Sequence, residues 1–275
     1  MKGTLTSRLT VQIVLAILAV LFLIPLVYIL LSSFKSSGET LQVPQSFFPR
    51  EWTLENYATV ITGGRFGAYF WNSIVITVFG VLLTTIVAAL AGYGFAKLPF
   101  RGQGVVLTLI LATLTVPLVI LLVPMFLVAD ATGLLNTQLG LILPNVAVHL
   151  PFTTLIMRAA FLAIPKEIEE SATMDGAGIF RQWWTIMLPM ARNGLVLTLI
   201  MATYTTWGEY TLAKTLAIDP PAMPLTVGLT LLKGEVWDFG VLAAVIVLAI
   251  LPPIIVFVIF QKHIVAGVAQ GAVKG

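Results

Sequence analysis

The chain has 275 residues, of which 59% are hydrophobic and 10% charged, and its net charge is +3. A soluble domain carries roughly 25% charged residues, so this composition excludes an ordinary soluble domain and indicates a protein of the lipid bilayer. No basic run interleaved with aromatic residues occurs, which argues against nucleic acid as a partner, and the absence of cysteine excludes disulfides and thiolate metal sites.

Long apolar blocks predict an all-α polytopic membrane protein with six transmembrane helices in one transmembrane domain, residues 1–275. Each crossing takes about 20 apolar residues, and no stretch alternates as a barrel strand would. The first block is too long for a signal-peptide core and lacks an Ala-x-Ala cleavage site, so it is expected to stay as an anchor. The predicted spans run roughly Leu9 to Leu31, Phe70 to Ala96, Val105 to Ala129, Leu139 to Phe161, Gly194 to Ala217 and Phe239 to Gln261.

The distribution of Lys and Arg predicts the orientation of these spans. With both termini in the cytoplasm, the inner segments carry ten of the 15 Lys and Arg residues and the outer segments carry five. Cytoplasmic loops are enriched in these residues, so the sequence favours cytoplasmic termini.

Two outer segments are long enough to contact a partner outside the membrane. The segment Ser32 to Tyr69 contains EWTLENYATVI, which predicts a short amphipathic helix at the membrane surface. The segment Ile218 to Asp238 begins with IDPPAMP, where prolines forbid a helix, and its apolar middle predicts a loop folded against the protein.

Between the fourth and fifth spans lies a polar loop, residues 162–193. Pro165 suits the first turn of a helix, and the acidic residues after it lie near the positive end of the helix dipole. Ile164, Ile168 and Ala172 recur on one side of this helix, and Gly176 supplies the left-handed residue that ends it.

A second short helix is predicted from about Ile179 to Met187, before Pro189 begins the next span. It places Ile179, Trp183 and Ile186 or Met187 on one stripe. The loop is therefore predicted to be a helix-turn-helix at the cytoplasmic membrane surface.

This loop resembles the EAA loop of permease subunits of ABC importers. The similarity rests on Glu170-Ser-Ala, on DGA at Asp175 to Ala177, and on I-x-L-P after eight further residues at Ile186 to Pro189. Nearly the whole chain is similar to sugar permeases of the maltose-system type, most of all the smaller six-span subunit. The further matching stretches are NSIVITV from Asn72, YGFAKLPFRG from Tyr93 and FQKHIVAGVAQGAVKG from Phe260.

The resemblance implies a function and a set of partners. The chain would be an inner-membrane permease that moves a sugar, oligosaccharide or polyol by alternating access. Its partners would be a second permease subunit, an ABC ATPase dimer and an extracytoplasmic solute-binding protein. The loop would dock in a cleft of the ATPase subunit through Glu170, Ser171, Ala172, Asp175, Gly176, Ala177, Ile186, Leu188 and Pro189.

Two positions depart from the pattern of that family. Ser171 stands where Ala is usual, a small-for-small change. In TWGEY, Gly208 stands where such permeases have Asn, which removes a side-chain amide. Candidate residues of the substrate pathway are Asn72, Trp207, Glu209 and Tyr210, with a pairing of Glu209 with Lys214 and interface packing of the two aromatic residues as the alternatives.

Four prolines in the third and fourth spans predict kinks that either line a pathway or only shape the packing. They are Pro117, Pro124, Pro144 and Pro151.

No nucleotide-binding motif G-x-x-x-x-G-K-[ST] occurs, so the chain is not expected to hydrolyse ATP. ATP and Mg²⁺ would bind the partner ATPase, and no cofactor or metal is expected on this chain. Three alternatives stay open: an ion-coupled secondary transporter, an importer of a non-sugar solute such as a glycerophosphate compound, and a scaffold subunit without a pathway.

Overall fold

A computed structural model of the chain describes residues 5–235 and 238–272, and every regular element within them is helical. Two short non-α stretches occur, a π-helical turn at Trp183–Met187 and a 3-10 turn at Pro220–Ala222. The α-helices in chain order are α1 Leu5–Ser32, α2 Ser37–Thr40, α3 Glu55–Thr62, α4 Phe66–Lys97, α5 Gln103–Thr113, α6 Leu118–Ala131, α7 Gln138–Leu162, α8 Lys166–Met174, α9 Ile179–Gln182, α10 Leu188–Met190, α11 Arg192–Trp207, α12 Thr211–Leu216, α13 Leu225–Glu235 and α14 Phe239–Ala272.

Four helices are long and apolar enough to cross a membrane unbroken, and these are α1, α4, α7 and α14. Two further helix pairs pass the same test together but bend sharply where they join, at 100° between α5 and α6 and at 78° where Ile179–Met190 meets α11. The described residues therefore hold six candidate spans when each bent pair counts as one.

The third predicted span is not one continuous helix. The break lies at residues 114–117, and Pro117 is the residue that caps α6 with an extended backbone, φ −62° and ψ 131°. Because proline lacks an N–H and disfavours a helical conformation in the residue before it, α5 ends upstream of Pro117. Pro124, Pro144 and Pro151, by contrast, lie inside helices.

The fifth predicted span is also interrupted. Helix α11 ends at Trp207, and a separate helix α12 begins at Thr211. At about 1.5 Å per residue, the 16 residues of α11 extend roughly 24 Å, short of the roughly 30 Å hydrocarbon core.

The segment after α1, which the sequence predicts to be outside, folds around buried charged and polar groups. Glu39 accepts hydrogen bonds from the Ser46 hydroxyl at 2.6 Å and from the Arg50 backbone N–H at 3.0 Å. Buried Lys35 donates to the Ser46 carbonyl, and its ammonium lies 5.0 Å from the centre of the Tyr28 ring. The short amphipathic helix predicted in this segment is present as α3.

The loop predicted between Ile218 and Asp238 is mainly a helix, α13, so that prediction was wrong. The prolines up to Pro224 exclude an α-helix before α13, but no proline lies within α13, and Leu225 and Val227 are buried. The helix starts against α4, because the Ser73 hydroxyl accepts the Leu225 N–H at 2.7 Å. Residues 236–237, and the side chains of residues 232–235, lie outside the described part.

The chain folds into two compact units: Met1–Gly67 with Leu229–Leu251, and Ala68–Gly228 with Pro252–Gly275. The second unit contains a hydrophobic core in which α4, α7 and the segment after α9 meet. Its buried members are Ala88, Ala89, Tyr93, Met157, Phe161, Ile164, Trp183, Met187 and Ala191.

Candidate coupling loop and transport pathway

Helix α8 begins just after Pro165 and has one inner and one outer face. Ala172 and Ile164 are buried and Ile168 is half-buried, whereas Glu167 and Glu170 are exposed. The inner face agrees with the predicted stripe.

A complete C-terminal cap ends α8 at the tip of the loop. The Ala177 N–H donates to the Ala172 carbonyl and the Gly176 N–H donates to the Thr173 carbonyl, each at 3.0 Å. Gly176 has φ +75°, the left-handed conformation that this cap requires and that glycine adopts at no steric cost. The tip is therefore a fixed turn.

Gln182 joins the two helices of the loop. Its side-chain amide donates to the Thr173 hydroxyl at 3.0 Å and to the Ala177 carbonyl at 2.7 Å, and the residue is 5% exposed. Because one buried amide holds both sides of the turn, the helix pair is fixed as a unit. Sequence reasoning missed this role, since a lone Gln carries no spacing that points to Thr173 nine residues earlier.

The segment after α9 inserts two large side chains into the protein. Trp183 and Met187 are buried in the core shared with Tyr93 of α4 and Phe161 of α7. Ile179, predicted on the same stripe, is 59% exposed and does not belong to it. Helix α9 is only four residues long and passes directly into a π-helical turn, so the fixed period of an α-helix does not hold along this segment.

A buried lysine ties α8 to the end of α4. The Lys97 ammonium donates to the Ile164 carbonyl at 2.9 Å and lies 3.5 Å from a carboxylate oxygen of Glu169. The Lys97 side chain is 7% exposed and that of Glu169 is 22% exposed. The Lys97 side chain thus links α8 to α4 through a hydrogen bond and a partly desolvated ion pair.

The predicted docking residues do not all lie on the surface. Glu170, Ser171, Asp175, Gly176 and Pro189 are exposed. Ala177, Ile186 and Leu188 are half-buried, and Ala172 is 5% exposed and serves the inner packing and the cap.

Large apolar side chains are exposed around the same turn. Met174 is 90% exposed, Phe180 71% and Trp184 59%. An acidic tip next to exposed apolar side chains has the composition of a surface that another protein covers.

Asn72, a predicted pathway residue, holds backbone segments together through its side-chain amide. Its amide donates to the carbonyls of Pro221 at 2.8 Å and Met223 at 3.0 Å, and its oxygen accepts from Gln138 at 2.8 Å. The residue is 5% exposed. Both amide protons are therefore used to fix the segment before α13.

Glu209 caps helix α12 and has no ion pair with Lys214 among the described residues. Its two carboxylate oxygens accept the N–H groups of Leu212 at 2.7 Å and Ala213 at 2.8 Å. The cavity beside it, shared with Asn145, measures about 10 Å³, which is room for about one water molecule. Glu209 thus stabilises the start of α12, and Tyr210 next to it is 41% exposed.

Trp207 lines a larger space. Its ring packs edge-on against Phe70 at 5.8 Å and borders a cavity of about 250 Å³ whose walls are mostly aliphatic. Trp207 is thus a predicted pathway residue that borders a cavity.

The six candidate spans and the exposed helix-turn-helix of the described residues define a polytopic α-helical membrane protein. The chain belongs to the family of binding-protein-dependent transport system inner membrane components, whose family model matches residues 84–270.

Relatives and solved structures extend this similarity over nearly the whole chain. The chain is 36% identical to the diacetylchitobiose uptake system permease protein NgcG of Streptomyces coelicolor, over 93% of this chain and 85% of the relative. It is 34% identical to the sulfoquinovosyl glycerol transport system permease protein SmoH of Agrobacterium fabrum, over 94% and 92%. A chain from the crystal structure of a bacterial ABC transporter involved in import of the acidic polysaccharide alginate aligns with a TM-score of 0.82 at 26% identity, covering 95% of this chain and 99% of that one.

Proposed function

We propose that this chain is a permease subunit of an ATP-driven importer for a sugar, oligosaccharide or polyol. In this proposal it pairs with a second permease subunit, receives solute from an extracytoplasmic binding protein and docks on an ABC ATPase dimer. Both termini lie in the cytoplasm, as the Lys and Arg distribution favours.

The observation that carries the proposal is the fixed and exposed tip at Asp175 and Gly176. The cap of α8 and the Gln182 amide fix its shape, and the buried Trp183 and Met187 anchor it in the core of the spans. A loop with this structure transmits force, because a push on its tip displaces packed helices and is not absorbed by a flexible linker.

Transport then follows as alternating access. Closure of the two ATPase subunits moves the docked loops, and each loop shifts α4 and α7 through the shared core. The site between the spans opens to one side of the membrane at a time, and ATP binding favours one of the two states.

The relatives support the solute class. The importers of diacetylchitobiose, sulfoquinovosyl glycerol and alginate named above all carry sugar-containing molecules. The absence of the phosphate-binding motif supports a division of labour in which ATP and Mg²⁺ bind the partner ATPase.

Two substitutions at the tip test the docking role. Asp175→Lys reverses the exposed charge, and Gly176→Val places a β-branched residue at φ +75°, where it is strained. We expect each to abolish uptake and the co-purification of the ATPase while membrane insertion persists, because insertion depends on the spans.

Asp130→Lys, the same charge reversal at an exposed site at the end of α6, is the matched control and should keep both properties. Normal uptake with Asp175→Lys or Gly176→Val at normal abundance would refute the docking assignment.

A further inference from the structure

A cavity of about 270 Å³ lies where the third span is broken. The last turn of α5 and the break that follows it form one wall, the middle of α7 forms a second, and α11 forms a third. The residues that bear on its chemistry are Thr113, His149, Phe152, Thr153, Met201 and Thr205.

This cavity differs from two others of similar size because its walls mix polar and apolar groups. The cavity beside Trp207 and another of about 350 Å³ next to Pro124 are both lined almost entirely by aliphatic side chains. A polar lining within apolar helices is costly unless each polar group has a hydrogen-bond partner.

The hydroxyl groups of this cavity present acceptors. Thr113 donates to the Ile110 carbonyl at 2.6 Å, Thr153 to the His149 carbonyl at 2.9 Å and Thr205 to the Met201 carbonyl at 2.8 Å. Since each hydroxyl proton is used within its own helix, each oxygen retains a lone pair for a further hydrogen bond.

His149 adds a nitrogen that the protein does not satisfy. Its imidazole lines the cavity, and its Nε2 is buried without a hydrogen-bond partner in the described residues. A buried ring nitrogen without a partner costs free energy, and a solute in the cavity that reaches this nitrogen would remove that cost.

Phe152 supplies an apolar surface and is 46% exposed. No Asp, Glu, Lys or Arg stands among the described residues that line the cavity. A fixed anion would therefore meet no opposite charge here and would pay a desolvation cost.

We propose that this cavity is a binding site for a neutral, hydroxyl-rich solute, a sugar or polyol whose hydroxyl groups donate to the three threonine oxygens and pair with His149. The apolar face of the solute lies on Phe152. This assignment rests on the permease function proposed above and goes further, because it selects neutral carbohydrate over acidic sugars such as alginate.

Cysteine protection tests the site, because the natural chain has no cysteine. Single cysteines are introduced as Thr205→Cys and Thr113→Cys in the full importer, reconstituted in proteoliposomes. Thr62→Cys, on the exposed surface of α3, is the control. A small methanethiosulfonate reagent is applied with diacetylchitobiose, with an arabinotriose, or with an alginate trisaccharide, and mass spectrometry of this chain gives the modification rate.

We expect a neutral sugar to slow modification of the two cavity cysteines about tenfold at about ten times its half-saturating concentration, because mass action then fills about nine tenths of the sites. Modification at position 62 should not change, and the alginate trisaccharide should give no protection. In a second measurement, His149→Phe should raise the KM for uptake of the protecting sugar about tenfold, the loss of one hydrogen bond, with ATPase association unchanged.

Three outcomes would overturn the assignment: cavity cysteines that never react, equal rates with and without both neutral sugars, and equal protection by the alginate trisaccharide. Failure of the site is separable from failure of the proposed function, because the same preparation reports uptake and ATPase association. A complex that imports sugar without protecting the cavity removes this site alone.

Discussion

Replacing Lys97 by methionine should separate docking from transmission. Lys97 is the buried link between α4 and α8, and its ammonium serves both the Ile164 carbonyl and Glu169. Methionine keeps the length and the apolar stem of the side chain and removes only the ammonium. The cap that shapes the docking tip at Asp175 and Gly176 is left intact, because its hydrogen bonds run between backbone groups of α8 and the turn.

The size of the effect follows from what is removed. The unpaired Ile164 carbonyl costs about 1–3 kcal/mol, and the loss of an ion pair to a partly exposed carboxylate costs at most about 1 kcal/mol. A combined change of about 2 kcal/mol raises the population in which α8 has separated from α4 roughly thirtyfold. Hydrogen exchange of the amides of residues 166–177 measures this opening directly.

The matched control is Lys166→Met. Lys166 forms an ion pair with Glu170 at 3.3 Å, but the two side chains are 81% and 61% exposed. Such a pair contributes at most about 0.5 kcal/mol, so exchange should rise about twofold or less.

For Lys97→Met we expect ATPase association to persist while uptake per ATP hydrolysed falls. Equal exchange in the two variants, or normal coupling ratios despite faster exchange in Lys97→Met, would refute the role of Lys97 in transmission.

Two further predictions concern packing and pH. Gly92→Ala should lower the free energy of unfolding by about 1–3 kcal/mol and thereby the melting temperature of the purified complex. A Cβ at this position would lie 2.6 Å from the Met157 Cβ and 2.8 Å from the Arg158 backbone nitrogen. Gly94→Ala, with open space around its Cβ, should not lower the melting temperature; equal melting temperatures would contradict the close crossing of α4 and α7. The hydrogen bond from Ser46, more than the nearby Arg50 N–H and the positive charges of Lys35 and Arg50, holds the pKa of Glu39 below its ordinary value. A lowered pKa in the folded state stabilises the fold at pH values above the unfolded-state pKa, and this stabilisation is lost as the pH falls through the folded-state pKa. Ser46→Ala should therefore make residues 37–53 protease-sensitive at a higher pH than in the natural chain. Unchanged protease sensitivity would contradict this.

The apolar blocks predicted where helices lie, but not where they break. The apolar composition of a segment shows whether it can lie in the hydrocarbon core, and this was sufficient to predict α1, α4, α7 and α14 as spans. Of the four prolines that predicted kinks, Pro117 coincides with a break, whereas Pro124 and both prolines of α7 lie within helices. Neighbouring groups within the protein can form hydrogen bonds with the backbone carbonyl that a proline leaves without a partner. A proline alone therefore does not determine whether a helix breaks.

The candidate site shows the same limit. The turn at Gly176 could be predicted because left-handed backbone selects for glycine locally. The role of Lys97 could not, because its partners Ile164 and Glu169 are distant in sequence. The contacts of Gln182 and the cavity beside His149 depend on the folded positions of the helices, which no local pattern records. Glu209 looked like a pathway residue because an acid within an apolar stretch is costly, yet the N–H groups of α12 three and four residues further on compensate that cost.

The role of a buried polar group in this chain depends on whether the protein itself supplies its hydrogen-bond partners. Where the protein supplies hydrogen-bond partners, as at Asn72, Gln182 and Glu209, the polar group fixes the backbone and its mutation should act on stability. Where the protein leaves a buried polar atom without a partner among the described residues, as at the His149 Nε2, a ligand from outside the chain could supply that partner, and the proposed solute site builds on this. An importer has to release its solute, so a solute site requires few and weak hydrogen bonds between protein and solute. If the protein satisfied all of its own polar groups, none would be left to bind the solute. If the hydrogen bonds to the solute were strong, the solute would stay in the membrane.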